Sequence, residues 1–107
     1  MIITLSEGTN HKSMEIASHY SPEDMRCQLM EELAELSVAV NHDRRKNSET
    51  ITDYMARYNL MEETADVIVM LERMCTALDL NINNIESVRS AKLDREMRRI
   101  HLKGGEG

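Results

Sequence analysis

The fold of this chain is decided by two stretches, Glu31-Glu32-Leu33-Ala34-Glu35-Leu36-Ser37-Val38-Ala39-Val40 and Glu62-Glu63-Thr64-Ala65-Asp66-Val67-Ile68-Val69-Met70-Leu71. Each stretch begins with clustered acids and continues into apolar, helix-forming residues. Carboxylates three residues apart are neighbours on a helix, where like charges repel, and charges within apolar sequence are costly unless neutralised. Oxygen ligands without Cys or His favour Mg²⁺, with Mn²⁺ as the alternative. The two stretches therefore predict helices that carry a cation site.

The composition predicts a single, nearly all-helical domain. The chain has 107 residues, one Pro and four Gly, and three of these Gly fall within the last four positions. With so few helix breakers, we expect an all-α domain over residues 1–103 and a flexible Gly-rich tail over 104–107.

Helix starts are marked by capping residues. Ser21-Pro22-Glu23-Asp24 combines an N-cap serine, a first-turn proline and acids beside the helix N-terminus. Thr50-Ile51-Thr52-Asp53 and Asn83-Asn84-Ile85-Glu86 resemble capping boxes. These signals predict helices over 22–45, 51–79 and 84–102, and a short helix is conceivable between residues 11 and 19.

Apolar residues on these helices exceed what one small bundle can cover. The first long helix carries an apolar stripe at Met25, Leu29, Leu33, Leu36 and Val40, and residues 67–71 are apolar on every side. Because such a segment must be covered on more than one face, we predict an antiparallel helical bundle that is completed by homo-oligomerisation.

The position of the turn joins the two acidic motifs. The midpoint between the two motifs falls near residue 49, in the polar stretch 43–49, so a reversal there returns them to the same level of an antiparallel hairpin. The hairpin predicts one site with four or more carboxylates. The alternative is a solvated acidic face, which is common on Glu-rich helices. A ferritin-like di-iron site is disfavoured, because none of the four His lies three residues after a Glu.

A basic element follows on the third predicted helix. Lys92, Arg95 and Arg99 recur at helical spacing. Beside a Mg²⁺ site, such residues suit a polyphosphate, and Arg can contact two oxygens at once. The alternative is a solvated basic C-terminal segment that interacts favourably with the helix dipole.

Charge and hydropathy exclude several classes of protein. A formal charge of −6 argues against a general nucleic-acid binder, and no apolar run is long enough to span a membrane. The N-terminus lacks the pattern of a signal peptide, so the expected compartment is the cytoplasm. Cys27 and Cys75 are expected to be buried free thiols rather than a disulfide.

Together these residues resemble the signature of the MazG family of all-α nucleoside triphosphate pyrophosphohydrolases. The family pattern is Glu-Glu-x-x-Glu, a gap of a dozen to nearly thirty residues, and then Glu-x-x-Asp. Here Glu31-Glu32-Leu33-Ala34-Glu35 is followed, after 27 residues, by Glu63-Thr64-Ala65-Asp66. Lys92-Leu93-Asp94-Arg95 is similar to the basic element often found on the last helix of the family. The resemblance spans about residues 22–100.

The resemblance implies Mg²⁺-dependent hydrolysis of a (deoxy)nucleoside triphosphate to the monophosphate and pyrophosphate, in a homodimer or a dimer of dimers. By motif position, the implied metal ligands are Glu32, Glu35, Glu63 and Asp66. Glu31 would be a further ligand or would support one, and Glu31 or Glu35 would accept the proton of the attacking water. Lys92 and Arg95, with Arg99 assisting, would bind the phosphates.

Two points stay open in this interpretation. Many relatives stack Trp or Phe on the base, whereas this chain offers only Tyr20, Tyr54 and Tyr58. The alternative function is a non-catalytic helical module that binds nucleotide or metal.

Overall fold

Four α-helices make up the part of the chain that the structure, a computed structural model, describes: residues 7–45 and 51–106. They are α1 (Glu7–Ala17), α2 (Pro22–Arg44), α3 (Ile51–Ala77) and α4 (Ile82–Glu106). No strand occurs in these two ranges, which confirms the all-α prediction. None of these helices pairs enough length with enough apolar character to span a bilayer.

The N-terminus of α2 is capped as its sequence predicts. The Ser21 side chain accepts a hydrogen bond from the Asp24 backbone N–H at 3.0 Å, and Pro22 occupies the first helical position. Glu23 and Asp24 add negative charge to the first turn, where the helix dipole favours it. The predicted Thr50 cap of α3 lies outside the described residues.

The cap of α4 is Asn81, and the prediction of a cap at Asn83 is wrong. The Asn84 backbone N–H donates to Asn81 Oδ1 at 3.1 Å, so the helix begins two residues earlier than expected. Asn81 is the N-cap because its side-chain oxygen accepts from the backbone N–H three residues later, which is the usual capping geometry. At its other end α4 continues to Glu106, into the segment that the sequence assigns to a Gly-rich tail.

The turn between α3 and α4 is a Schellman motif centred on Asp79. The Leu80 N–H donates to Cys75 O at 2.9 Å and the Asp79 N–H to Thr76 O at 3.3 Å. Asp79 has a φ of 53°, the left-handed conformation that this motif requires and that Gly adopts most easily. The turn satisfies the last carbonyls of α3 and sets the direction of α4.

Helices α2 and α3 form the antiparallel hairpin that the spacing of the acidic motifs predicts. Near its turn end, the Arg57 guanidinium donates to both oxygens of Asp43, at 2.8 and 3.1 Å. This bidentate pair fixes the register of the two helices. Helix α1 packs against α3 and completes the contacts at the other end of the hairpin. The predicted reversal near residue 49 lies outside the described residues.

The core between these helices is small. Its most buried apolar residues within the described ranges are Ala17, Met25, Leu29, Ala39, Val67 and Met70. The predicted apolar stripe of α2 is only partly right, because Leu33 and Val40 are 46% and 48% exposed. Ala39, not Val40, lies in the packed interface between α2 and α3, which we call the seam. Its small side chain allows the two helices to pack closely.

Many apolar side chains remain on the surface of the single chain. Val69 and Leu71 are exposed, so the apolar segment 67–71 is covered on one side only. The second half of α4, from residue 91 to 103, is exposed throughout. The Cα radius of gyration is 17.5 Å, whereas a compact domain of this length has about 13 Å. One copy of the chain therefore does not enclose its apolar surface.

Both cysteines are free thiols, as the sequence predicts. Cys75 is half-buried, and burial together with the neighbouring Glu72 raises its pKa. Cys27 is exposed, so the expectation that it is buried is wrong. It lies on the outer side of α2, where no other helix of the described chain covers it.

Replacing Asp79 by Gly should stabilise the protein by roughly 0.5–1 kcal/mol, because Gly adopts the left-handed conformation without a Cβ clash. Asp79→Val should destabilise it by about 1–2 kcal/mol. Urea unfolding monitored by circular dichroism measures both changes. A loss of stability in Asp79→Gly would show that the Asp side chain, rather than the backbone conformation, holds this turn.

Candidate metal centre

The hairpin brings the two acidic motifs together. Glu32 from α2 and Glu63 and Asp66 from α3 each place one carboxylate oxygen within 4.8 Å of the others. We call this group the carboxylate cluster. It lies at the level that equal path lengths from the turn predict, so the geometric argument from the sequence locates it.

Helical periodicity explains why two of these acids are half-buried. Glu32 follows buried Leu29 by three residues and precedes half-buried Leu36 by four, so it lies on the packed face of α2. Glu63 likewise precedes buried Val67 by four residues on α3. Both helices thus direct a carboxylate into their shared seam instead of into water.

The electrostatics of the cluster are those of crowded like charges. Burial raises the pKa of Glu32, and the nearby carboxylates of Glu35, Asp66 and Glu63 raise it further. Burial also raises the pKa of Glu63, with further increases from Glu35 and Asp66. Every group that adds to these shifts is an acid, so no basic side chain of the described ranges neutralises the cluster.

Two oxygen atoms of the cluster lack hydrogen-bond donors. Glu32 Oε2 and Glu63 Oε2 are both buried, and neither has a hydrogen-bond partner among the described residues. An unsatisfied buried carboxylate oxygen is costly, and native proteins normally satisfy such atoms. Glu32 and Glu63 would hold a divalent cation here, and its charge would neutralise the carboxylates.

The donor set fits Mg²⁺. All the donors are carboxylate oxygens, which hard cations prefer. Mg–O distances of 2.0–2.1 Å put neighbouring ligand oxygens about 3 Å apart and opposite ones about 4 Å apart. The spread of up to 4.8 Å is close to these values, so small side-chain rotations would bring the three oxygens onto one ion.

The two other acids of the first motif lie at the edge of the cluster. Glu35 is exposed, yet its negative charge lies close enough to Glu32 and Glu63 to raise the pKa of both. Glu31 is exposed and lies one turn before Glu35 on the same helix. The structure thus places Glu35 near the cluster, whereas Glu31 does not contribute to the pKa shifts of Glu32 and Glu63.

The basic residues predicted to bind phosphate are not brought to the cluster within one chain. Lys92, Arg95 and Arg99 lie on the exposed half of α4. Arg99 pairs with Glu96 of its own helix, at 2.9 Å. The extensive helix contacts are those that α3 makes with α2 and α1, and α4 has no comparable contact.

A pocket adjoining the cluster was not anticipated from the sequence. Its lining residues are Ala34, Glu35, Val38, His42, Asn59 and Glu63. His42 and Asn59 offer hydrogen-bonding groups, while Ala34 and Val38 provide an apolar wall. A signal was present, because His42 follows Glu35 by seven residues and Asn59 precedes Asp66 by seven. Seven residues are nearly two helical turns, so these side chains share the side of their helices that carries the acids.

Comparisons of the chain with protein-family models, with curated proteins and with solved structures gave no match.

Neutralising one acid of the cluster should stabilise the metal-free protein and abolish its response to Mg²⁺. Glu32→Gln and Glu63→Gln each remove a repelling charge from the seam, so both should melt several degrees higher than the wild type in EDTA. In millimolar Mg²⁺ the wild type should gain stability by linkage and the variants should not. Differential scanning fluorimetry measures both effects.

Glu62→Gln is the matched control, since Glu62 is exposed and adjoins Glu63 on α3. It should retain the Mg²⁺ response of the wild type. An unchanged Mg²⁺ response in Glu32→Gln and Glu63→Gln would contradict the metal centre and favour a solvated acidic face.

Proposed function

We propose that this protein is a Mg²⁺-dependent nucleoside triphosphate pyrophosphohydrolase of the MazG-like all-α type, which cleaves a (deoxy)nucleoside triphosphate to the monophosphate and pyrophosphate. The observation that carries the proposal is the pair of buried, unpartnered oxygens of Glu32 and Glu63 in a four-acid group. The order and spacing of the two motifs support it. Because nucleoside triphosphates are cytoplasmic metabolites, the proposal includes a cytoplasmic location.

Glu32, Glu63 and Asp66 would hold Mg²⁺, and Glu35 would join them when its side chain turns inward. When bound, Mg²⁺ (or Mn²⁺) would neutralise phosphate charge and acidify a water molecule. The side chains contribute a fixed geometry, because Glu32 and Glu63 are held by the packed seam. Asp66 is exposed and can adjust to the substrate.

Glu35 is the favoured proton acceptor. It contacts the cluster but is exposed, so it can take a proton from an attacking water and release it to solvent. In the reaction, the water oxygen forms a bond to phosphorus and the α–β phosphoanhydride bond breaks. Glu31, which lies further from the seam, is the second candidate for this role.

The nucleoside would occupy the pocket beside the cluster. His42 and Asn59 can donate or accept hydrogen bonds to a base or sugar, and Val38 offers an apolar contact. Asn59 also lines a neighbouring pocket with Tyr54 and Tyr58. These tyrosines would take the stacking role that Trp or Phe has in many MazG proteins.

The proposal includes a homodimer or a dimer of dimers. The exposed line of Leu93, Met97 and Ile100 on α4 would pack against a second copy, as would Val69 and Leu71 of α3. Burial of apolar surface of this kind drives most protein association. Within such an assembly the basic side of α4, with Lys92, Arg95 and Arg99, would be available for phosphate binding.

Purified protein with Mg²⁺ should release pyrophosphate from at least one common or damaged (deoxy)nucleoside triphosphate. Glu35→Gln and Asp66→Asn should each reduce the rate by at least roughly 100-fold, because removing one charged catalytic group commonly has an effect of that size. A coupled assay for pyrophosphate over a broad nucleotide panel measures this.

Calorimetry with the same nucleotides separates this proposal from its alternative. Binding without release of pyrophosphate, in Mg²⁺ and in Mn²⁺, would favour a non-catalytic nucleotide-binding module. Neither binding nor hydrolysis across the panel would overturn the proposed function.

Charge on the apolar line of α4 should disrupt the assembly. We expect the wild type to elute from size-exclusion chromatography with light scattering as a dimer or tetramer, and Leu93→Glu/Met97→Glu to shift toward the monomer. Arg98→Glu, on the opposite side of the same helix, is the matched control and should keep the wild-type mass. A monomeric wild type at micromolar concentration would contradict this part of the proposal.

A further inference from the structure

Two rows of polar side chains run along one side of the α2–α3 hairpin, each spaced by seven residues. The row on α2 is Gln28, Glu35 and His42, and the row on α3 is Asn59, Asp66 and Arg73. Each step is nearly two turns, so a row stays on one side of its helix and advances about 10 Å per step. The antiparallel register sets the rows opposite each other, and the carboxylate cluster lies between the two ends.

Contacts at both ends confirm this arrangement. At one end, Arg73 Nη2 donates to Gln28 Oε1 at 3.2 Å. At the other end, His42 and Asn59 line one pocket. The hairpin thus carries a polar groove with a cation at one end, acids in the middle and neutral hydrogen-bonding groups at the far end.

The guanidinium of Arg73 is half-buried and has no acidic partner in the described part of the chain. Its Nε is buried without an acceptor. Nη1 lies 3.3 Å from Met70 Sδ and Nη2 lies 3.6 Å from Met25 Sδ, and thioether sulfurs are weak acceptors. The Tyr20 ring covers the guanidinium carbon at 4.8 Å. A half-buried guanidinium of this kind is suited to a carboxylate or phosphate partner, which the described residues do not provide.

The guanidinium lies on the cluster side of its own Cα. Long helical side chains lean toward the helix N-terminus, and the contact with Met70 shows that Arg73 does so. Asp66 lies one further turn in the same direction. About one helical turn therefore separates an unpaired cation from the unneutralised acids, a gap that a chain of phosphates bound to a metal at the cluster would fill.

We propose that Arg73 binds the terminal phosphate of a polyphosphate whose inner phosphates meet the metal at Glu32, Glu63 and Asp66. The inference rests on the proposed function for the metal and for the ligand class. It adds a phosphate-binding residue on α3 and a direction: phosphates toward α1, nucleoside toward His42 and Asn59. A metal–polyphosphate complex satisfies the acids and the guanidinium together, whereas a bare cation or a simple anion satisfies only one of them.

The test is calorimetric titration of pyrophosphate into the Mg²⁺-saturated full-length protein. Arg73→Met keeps an unbranched side chain next to Met25 and Met70 but removes the charge. Arg73→Lys keeps the charge but loses the planar guanidinium, which can contact two oxygens at once. Arg26→Met is the matched control, since Arg26 is an exposed arginine of α2 with only a weak pair to Glu23 at 3.8 Å. Melting in EDTA and in Mg²⁺ accompanies each titration.

We expect Arg73→Met to bind pyrophosphate roughly 10- to 100-fold more weakly, as the loss of a charge-assisted hydrogen bond predicts. Arg73→Lys should be intermediate, and Arg26→Met should match the wild type. The Mg²⁺-induced rise in melting temperature should persist in all three variants. Asn59→Ala, at the other end of the groove, should leave pyrophosphate affinity unchanged and raise KM for the nucleotide.

Several outcomes would overturn the inference. The first is that Arg73→Met binds pyrophosphate within twofold of the wild-type affinity. The second is that the wild type does not bind pyrophosphate. The third is that both Arg73 variants lose the Mg²⁺-induced rise in melting temperature. Its failure is distinguishable from that of the proposed function. Cleavage of a nucleotide with unchanged KM in Arg73→Met removes the inference alone, whereas Arg73-dependent pyrophosphate binding without any cleavage removes the proposed function alone.

Discussion

The constraint on which the rest of this structure depends is the placement of two carboxylates inside the packed seam of a helical hairpin. Glu32 and Glu63 occupy positions that the helical repeat reserves for apolar side chains, beside Leu29 and Val67. One buried oxygen of each has no hydrogen-bond donor in the described part of the chain, and the neighbouring groups are further acids. A seam of this kind is tolerated only if the remaining contacts hold α2 and α3 together against the repulsion, or if a cation enters it.

Those remaining contacts are arranged on both sides of the acids. Toward the turn, the bidentate pair of Arg57 and Asp43 locks the two helices at one level. Toward α1, Arg73 reaches across to Gln28, and Ser13 of α1 donates to Glu72 at 3.2 Å. The like charges therefore lie between cross-helix polar contacts on both sides, and these contacts oppose a separation of the acids along the seam.

The sequence predicts the helices and the level of the site for clear physical reasons. The Ser21 cap is local chemistry, and the meeting of the acidic motifs follows from path length alone. The cap of α4 was misplaced because Asn81, Asn83 and Asn84 offer similar side chains, and only the backbone geometry selects Asn81. The left-handed Asp79 was missed because this conformation is ordinarily signalled by Gly. Arg73 gave no signal either, since its importance comes from the absence of a partner, and absence becomes visible only when the neighbours are known.

The exposed second half of α4 and the small core both reflect how little apolar surface this short chain encloses. Glu32 and Glu63 occupy positions in the seam between α2 and α3 where apolar side chains would otherwise pack. The core of the described residues is therefore small, and two of its members are the methionines Met25 and Met70. These residues are adaptable in shape and lie directly beneath the guanidinium of Arg73. The unbranched side chains of these methionines adapt to the shape of the guanidinium more readily than Leu or Val would. The methionines at this end of the core and the guanidinium beside them are therefore the surroundings in which the proposed phosphate contact of Arg73 would form.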